Sequence, residues 1–386
     1  MKRLLTVDGG WWVVGGNRAK RRYCRRLLSI FFLLATHYPL LTTNRLYADG
    51  KGSTSFNFLK VGVGSRQMGM ANCAVALDGD VNSSAYNPAT LADVAQQEVG
   101  FLHTQFLDGI QYQYAAYAYP HSRLGTFGLS FNYVTFGAIQ GYDTSNRKTT
   151  TINASDMAVG FTYAKAIFQG FHLGFTSRLI KEDLYAASGQ AYGFDLGALY
   201  RPSGSDWWSK LAAGLGVRNL GTKVTFIREA APLPTQYDVG ISYTDWGGRL
   251  VGTIEAHKPI DAKAYYSLGA EVTTRRFLSL RTGFRTDKDL GPNFSAGFGL
   301  LFWNESLKFD YAFVPFETFG NVHRFGLIYR FGGIAMRHYK AGVRLMRASK
   351  YAEAILEFDK VLQQDPSHYM AARYMKMCAE QLKKGE

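Results

Sequence analysis

The sequence predicts an all-β transmembrane barrel of about 14 antiparallel strands, with a segment before the first strand and a small C-terminal α-helical domain after the last. Three observations carry that prediction. From residue 97 onward, large apolar and small or polar residues alternate with period two, which is the periodicity of strands. The large-residue face of these segments carries almost no charge. The connections between them alternate between tight turns and longer, more polar stretches.

The composition agrees. Of 386 residues, 15% are aromatic, 41 are glycine and only 19% are charged, which suits many strands joined by tight turns. The net charge of +14 raises the question of nucleic acid. Residues 1–48, however, hold nine Lys/Arg against one acid, Asp8, so more than half of that charge sits in one short segment. No nucleic-acid partner is expected. The segment itself reads as a signal peptide: "NRAKRRYCRRLLSIFFLLA" is a basic stretch leading into an apolar one, and "LYADG" offers cleavage after Ala48. Residues 1–16 read as an upstream start that is not used. Of three cysteines, Cys24 leaves with the leader, and Cys73 and Cys378 fall in different domains, so no disulfide is expected.

Fourteen segments fit the strand pattern: 97–106, 109–120, 123–136, 155–168, 170–182, 190–201, 209–219, 235–245, 248–257, 263–273, 276–286, 293–303, 306–315 and 321–332. In "AYGFDLGALY", Tyr192, Phe194, Leu196, Ala198 and Tyr200 share one face, and Gly193, Asp195, Gly197 and Leu199 the other. "LKFDYAFV" sets Leu307, Phe309, Tyr311 and Phe313 against Lys308, Asp310 and Ala312. A soluble sandwich would show Lys, Glu, Thr and Ser on its outer face. So uniform an apolar face over so many strands has only lipid to meet. The connections 137–154, 183–189, 220–234 and 287–292 are expected to be the longer ones. The barrel is placed at 97–332, in the outer membrane of a diderm bacterium, with outer-membrane lipid around it.

The last strand, "RFGLIYRF", resembles the signal with which outer-membrane barrels dock on their assembly machinery, through Gly326, Tyr329 and Phe331. After Gly333 the chain becomes helical and basic. Residues 333–386 resemble one tetratricopeptide unit, with Gly342 in its first helix, Tyr351 opening the second, Ala354 and Phe358 four apart, then Pro366. His338 and Leu345 stand where the repeat carries tryptophan and tyrosine. A single unit leaves an apolar flank around Leu345, Ile355 and Phe358, which residues 367–383 can cover. A periplasmic protein partner is expected through residues 336–386, where ten Lys/Arg face six Asp/Glu.

Residues 49–96 are poor in charge and rich in small residues. Their core, "FLKVGVGSRQMGMANCAVALDGDVNSSAYNPATLA", resembles the N-terminal segment of FadL-like barrels, nearest to the PorV/PorQ branch and allied families. Gly62, Gly64, Arg66, Gly69, Ala71, Ala76, Leu77, Asp80, Asn87, Pro88, Ala89 and Leu91 carry the likeness; Asn72-Cys73 departs from it. The resemblance implies a hatch that enters the barrel from the periplasmic side. A narrow plug favours small residues. Pro88 fixes its own φ and holds Asn87 out of helical geometry, and an Asx side chain bonds nearby backbone.

No catalytic constellation, metal site or cofactor site can be read. Glu255, Glu271, Asp310 and Arg281 read as a polar lumen network. The resemblance implies uptake of hydrophobic small molecules such as long-chain fatty acids. The alternatives are a PorV-like shuttle of a protein secretion system and a structural surface protein.

Overall fold

The computed structural model describes residue 50 and residues 52–383, apart from 107–108, 122–123, 169, 185–186, 203–206, 227–228, 275–276, 288–292, 304–305, 316–320, 365 and 367. The leader expected at 1–48 lies outside these residues.

Fourteen strands form the wall: β1 Gln97–Gln105, β2 Gln111–His121, β3 Gly125–Tyr142, β4 Lys148–Phe168, β5 Phe171–Leu184, β6 Ala187–Tyr200, β7 Leu211–Gly221, β10 Gln236–Asp245, β11 Leu250–Pro259, β12 Tyr265–Thr274, β13 Leu278–Arg285, β14 Phe294–Phe302, β15 Leu307–Pro315 and β16 Asn321–Phe331. Each pairs antiparallel with its neighbour, and β1 closes on β16, with Gln97 opposite Phe331 and Gln105 opposite His323. Closure leaves no unpaired strand edge, which is what a sheet in hydrocarbon requires.

Three expected connections differ. Most of 137–154 is strand: β3 and β4 run on as a ribbon of 18 and 21 residues, with register shifts at Thr135/Ala138 and Gln140/Tyr142. Only 143–147 remain as the turn. Across 183–189, β5 continues to Leu184 and β6 starts at Ala187. The stretch 220–234 folds a small hairpin of its own, β8 Val224–Phe226 with β9 Glu229–Ala231. Polarity misled the reading here, because a ribbon that rises beyond the bilayer has no apolar face to show.

The alternation of faces is realised. Phe101, Leu129, Phe161, Leu196, Ile254, Leu280 and Phe325 point outward and are exposed. At the short-turn end, Trp246 and Trp303 stand 65% and 74% exposed, and Trp207 stacks on Trp208 at 3.9 Å. Tyr329 and Phe331 stack at 5.5 Å on the same rim. Outward apolar residues above an aromatic rim belong in lipid. The protein is an outer-membrane β-barrel. No described helix is long and apolar enough to cross a membrane. The protein is therefore expected in the outer-membrane fraction as a detergent-soluble species whose gel mobility changes on boiling. A mature chain that stays monomeric without detergent contradicts this.

Behind β16, Gly332 and Gly333 both take φ +60, a left-handed pair that turns the chain sharply into helix. Three helices follow: α1 Ile334–Arg347, α2 Tyr351–Gln364 and α3 Tyr369–Leu382. They bury Ala354, Phe358, Val361, Ala371 and Cys378. Gly342 lets α1 approach α2, since a Cβ there would come 2.7 Å from the Phe358 ring. Tyr351 opens α2, and Pro366 is exposed between α2 and α3. The apolar flank expected around Leu345, Ile355 and Phe358 is not open. Phe358 is fully buried between Tyr339 and Tyr374, and Leu345 and Ile355 pack on the same cluster. Tyr374 comes from α3, which supplies the cover that a single helical pair lacks.

Candidate functional site in the plugged lumen

The segment before β1 occupies the lumen from end to end. At the long-loop end, the Thr54 hydroxyl donates to Asp261 at 2.9 Å, Lys60 pairs with the same carboxylate, and the Ser55 amide donates to the Pro232 carbonyl at 2.9 Å. At the short-turn end, Asp93 meets Arg201 (3.1 Å) and His172 (3.3 Å). The segment spans both ends, its first residues packing against the loops that carry Pro232 and Asp261.

Asn87-Pro88 is the pivot. Asn87 is extended (φ −144, ψ 106), as a residue before proline must be, and Pro88 is the first residue of the 3-10 turn Pro88–Asp93. Asn87 Oδ1 accepts from the Ala89 amide at 3.0 Å, closing the turn. Its Nδ2 donates to Val75 O at 2.7 Å within the segment and to Ala198 O at 3.0 Å on the wall. One side chain thus caps a turn, ties the plug to itself and ties it to β6. Asn87→Ala is expected to lower the local stability of this turn by about 2 kcal/mol, as a lost cap that also removes the side-chain donor to two carbonyls. Pro88→Ala loosens only the unfolded reference and should cost under about 1 kcal/mol. Amide exchange at Ala89 and Thr90 reads both, and a larger effect from Pro88→Ala contradicts the ranking.

The wall meets the plug with glycines. A Cβ on Gly174 would lie 2.3 Å from the Ala89 amide, one on Gly197 2.0 Å from Asn87 Oδ1, one on Gly214 2.1 Å from Val75 O, and one on Gly283 2.3 Å from the Ala71 amide. Gly69 of the plug faces Gly297 of β14, and a Cβ on Gly326 of β16 would lie 3.0 Å from Ser65 Oγ. Gly326 therefore has a local reason to be glycine, whatever the assembly machinery reads. Within the segment, Gly64 takes φ +79, and a Cβ on Gly62 would meet Met68 at 2.2 Å.

Charges fix the plug sideways. Arg66 grips Glu271 with two hydrogen bonds (2.7 and 3.0 Å). Arg281 joins Glu271 at 2.5 Å to Asp310 at 2.6 Å. Lys308 sits 3.1 Å from Asp310 and 3.6 Å from Asp80, whose other oxygen caps Asn82 and Ser83. Glu255 takes the Val75 amide at 2.8 Å. The four charged residues read from the sequence as a lumen network thus join the wall to the plug.

The long-loop half is different. Phe56, Phe58, Leu59 and Val63 of the plug meet Tyr112, Tyr114, Val134, Ile180 and Leu233 of the wall and loops, with Phe106, Ile110 and Phe136 alongside. Arg324 stands among them, 2% exposed. It donates to Gly62 O at 2.7 Å and lies 5.4 Å from the centre of the Phe106 ring. Among the described residues no carboxylate pairs with it, and its Nε and the hydroxyl of Tyr112 lack hydrogen-bond partners. The sequence placed Arg324 only at the head of the closing strand. Its register with Gly326 and Ile328, both lumenal, is the signal that would have found it.

No protein-family model matches the chain, and no curated protein matches it by sequence. Among solved structures it is similar to the Ralstonia pickettii toluene transporter TbuX, with a TM-score of 0.52 at 14% identity over 70% of this chain and 99% of that one. The fold is that of the TbuX barrel. A Pseudomonas aeruginosa FadL homologue (TM-score 0.49, 12% identity, 70% and 99% covered) and the Pseudomonas putida toluene transporter TodX (0.48, 11%, 69% and 96%) are also similar.

Proposed function

We propose that the protein carries hydrophobic small molecules with an acidic head, long-chain fatty acids among them, across the outer membrane. The carrying observation is Arg324. It is a buried guanidinium with a free Nε beside an apolar cluster and the unpartnered hydroxyl of Tyr112. A buried cation without a counter-charge is costly. A carboxylate entering from the long-loop end would satisfy it, and Phe58, Val134 and Ile180 would take an alkyl chain. A water-filled porin lumen would be polar throughout; the long-loop half of this lumen is apolar. TbuX, whose fold is similar, is a toluene transporter, which supports an apolar cargo. We read the barrel as FadL-like, and nearest in residues 58–92 to the PorV/PorQ branch. Short turns face the periplasm in such barrels, so the helical tail, similar to one tetratricopeptide unit, would lie there and meet a periplasmic partner.

The test is binding of radiolabelled palmitate to the purified protein in detergent. Wild type should bind. Arg324→Leu should weaken binding about 10- to 100-fold, the worth of a hydrogen bond to a charged group, while toluene binding is unchanged. Equal palmitate binding by the two proteins would overturn the role of Arg324.

A further inference from the structure

We propose that α1 of the tail is the latch of the hatch: Lys340 holds the last turn of residues 88–94 against the short-turn end of the barrel, so that engaging the tail controls whether the lumen opens. This rests on the reading of the lumen as the route of passage. The chain leaves β16 through Gly332 and Gly333, both at φ +60, a conformation that side chains rarely adopt. That pair sends α1 back toward the chain entering β1, and Gln96 Nε2 donates to Gly332 O at 3.3 Å beside it. Lys340 then donates to Ala92 O at 2.8 Å and to Val94 O. These two carbonyls end the turn that Asn87 begins, where a helix leaves acceptors unpaired and favours a cation.

The residue between them is fixed from the other side. Asp93 is held by Arg201, through Nε at 3.2 Å and Nη2 at 3.1 Å, and by His172. The wall therefore grips the side chain while the tail grips the backbone. Burial pushes the Lys340 ammonium down to about 8, against the pull of Asp93 and Glu98. The half-buried ammonium is placed by the two carbonyls. Arg347 of the same helix also lies within electrostatic reach of the Asp93 side chain, whereas Lys350 and Lys360 pair with Glu353 and Glu357 of α2.

The experiment compares full-length mature wild type with Lys340→Met, Lys340→Gln and the control Lys360→Met, all checked for heat-modifiable mobility. Amide exchange across residues 88–96 and conductance in planar bilayers are read without cargo. Lys340→Met should speed exchange in this stretch at least tenfold and add open-channel events. Lys340→Gln, which keeps a shorter donor, should fall between, and Lys360→Met should match wild type. If both Lys340 variants exchange and conduct like wild type, the latch is wrong. Failure of palmitate to bind wild type would sink the cargo reading alone, since these readouts need no cargo.

Discussion

Gly283→Val is expected to drive the hatch out of the lumen and leave an open barrel. A Cβ at Gly283 would lie 2.3 Å from both the Ala71 amide nitrogen and the Met70 carbonyl carbon, and 2.8 Å from the Ala71 Cβ. These are backbone atoms and cannot swing aside as the end of a long side chain can. The hatch has little room to yield there. Ala71 and Asn72 already sit at φ +56 and +68, and an alanine in that region is strained. The Ala71 amide is also spent on Ser295 Oγ at 2.9 Å. Two added methyls on top of the Cβ make the overlap worse, so the cost should exceed about 3 kcal/mol, the upper part of the range for overpacking. The wall has less to lose, because β13 keeps its pairing with β12 and β14. The variant should keep its heat-modifiable mobility, show raised conductance in planar bilayers and expose Arg66 to trypsin. A closed, trypsin-resistant variant would mean that the hatch does not run along β13.

Arg281→Met should be the most damaging single charge removal in the lumen. Its side chain is 1% exposed and links Glu271 and Asp310, which then retain only Arg66 and Lys308 respectively. Breaking a buried pair leaves an uncompensated charge, at about 3–5 kcal/mol. The midpoint of unfolding in urea should fall accordingly. Adding Asp310→Asn removes the stranded charge and should recover more than half of the loss. If Arg281→Met and the double variant unfold together, the network is not coupled as drawn.

The wall was legible because period-two alternation is a direct consequence of strand geometry, and every strand that meets lipid must show it. Phe294 and Phe298 outward against Ser295 and Gly299 inward is one example. The ribbon of β3 and β4 was not legible beyond Thr135, since strands above the bilayer carry polar residues on both faces. The wall glycines read only as a small-residue face. That Gly174, Gly197 and Gly283 give way to backbone atoms of the hatch depends on contacts more than 80 residues apart in sequence, which no local pattern records. Asn87-Pro88 was legible as a rigid turn from local chemistry; its bond to Ala198 O was not. Arg324 was hidden by its place in a strand-closing motif, and Lys340 by a helix whose other lysines and arginines look alike.

Passage of a cargo with an acidic head past Arg324 is tested most directly by uptake. Cells that rely on this barrel for long-chain uptake are given radiolabelled palmitate. The prediction is uptake that requires the protein and that falls at least tenfold in Arg324→Leu, with the variant present in the outer membrane at wild-type level. Palmitate entry that is the same with and without the protein, together with recovery of the barrel bound to a secreted protein, would contradict it.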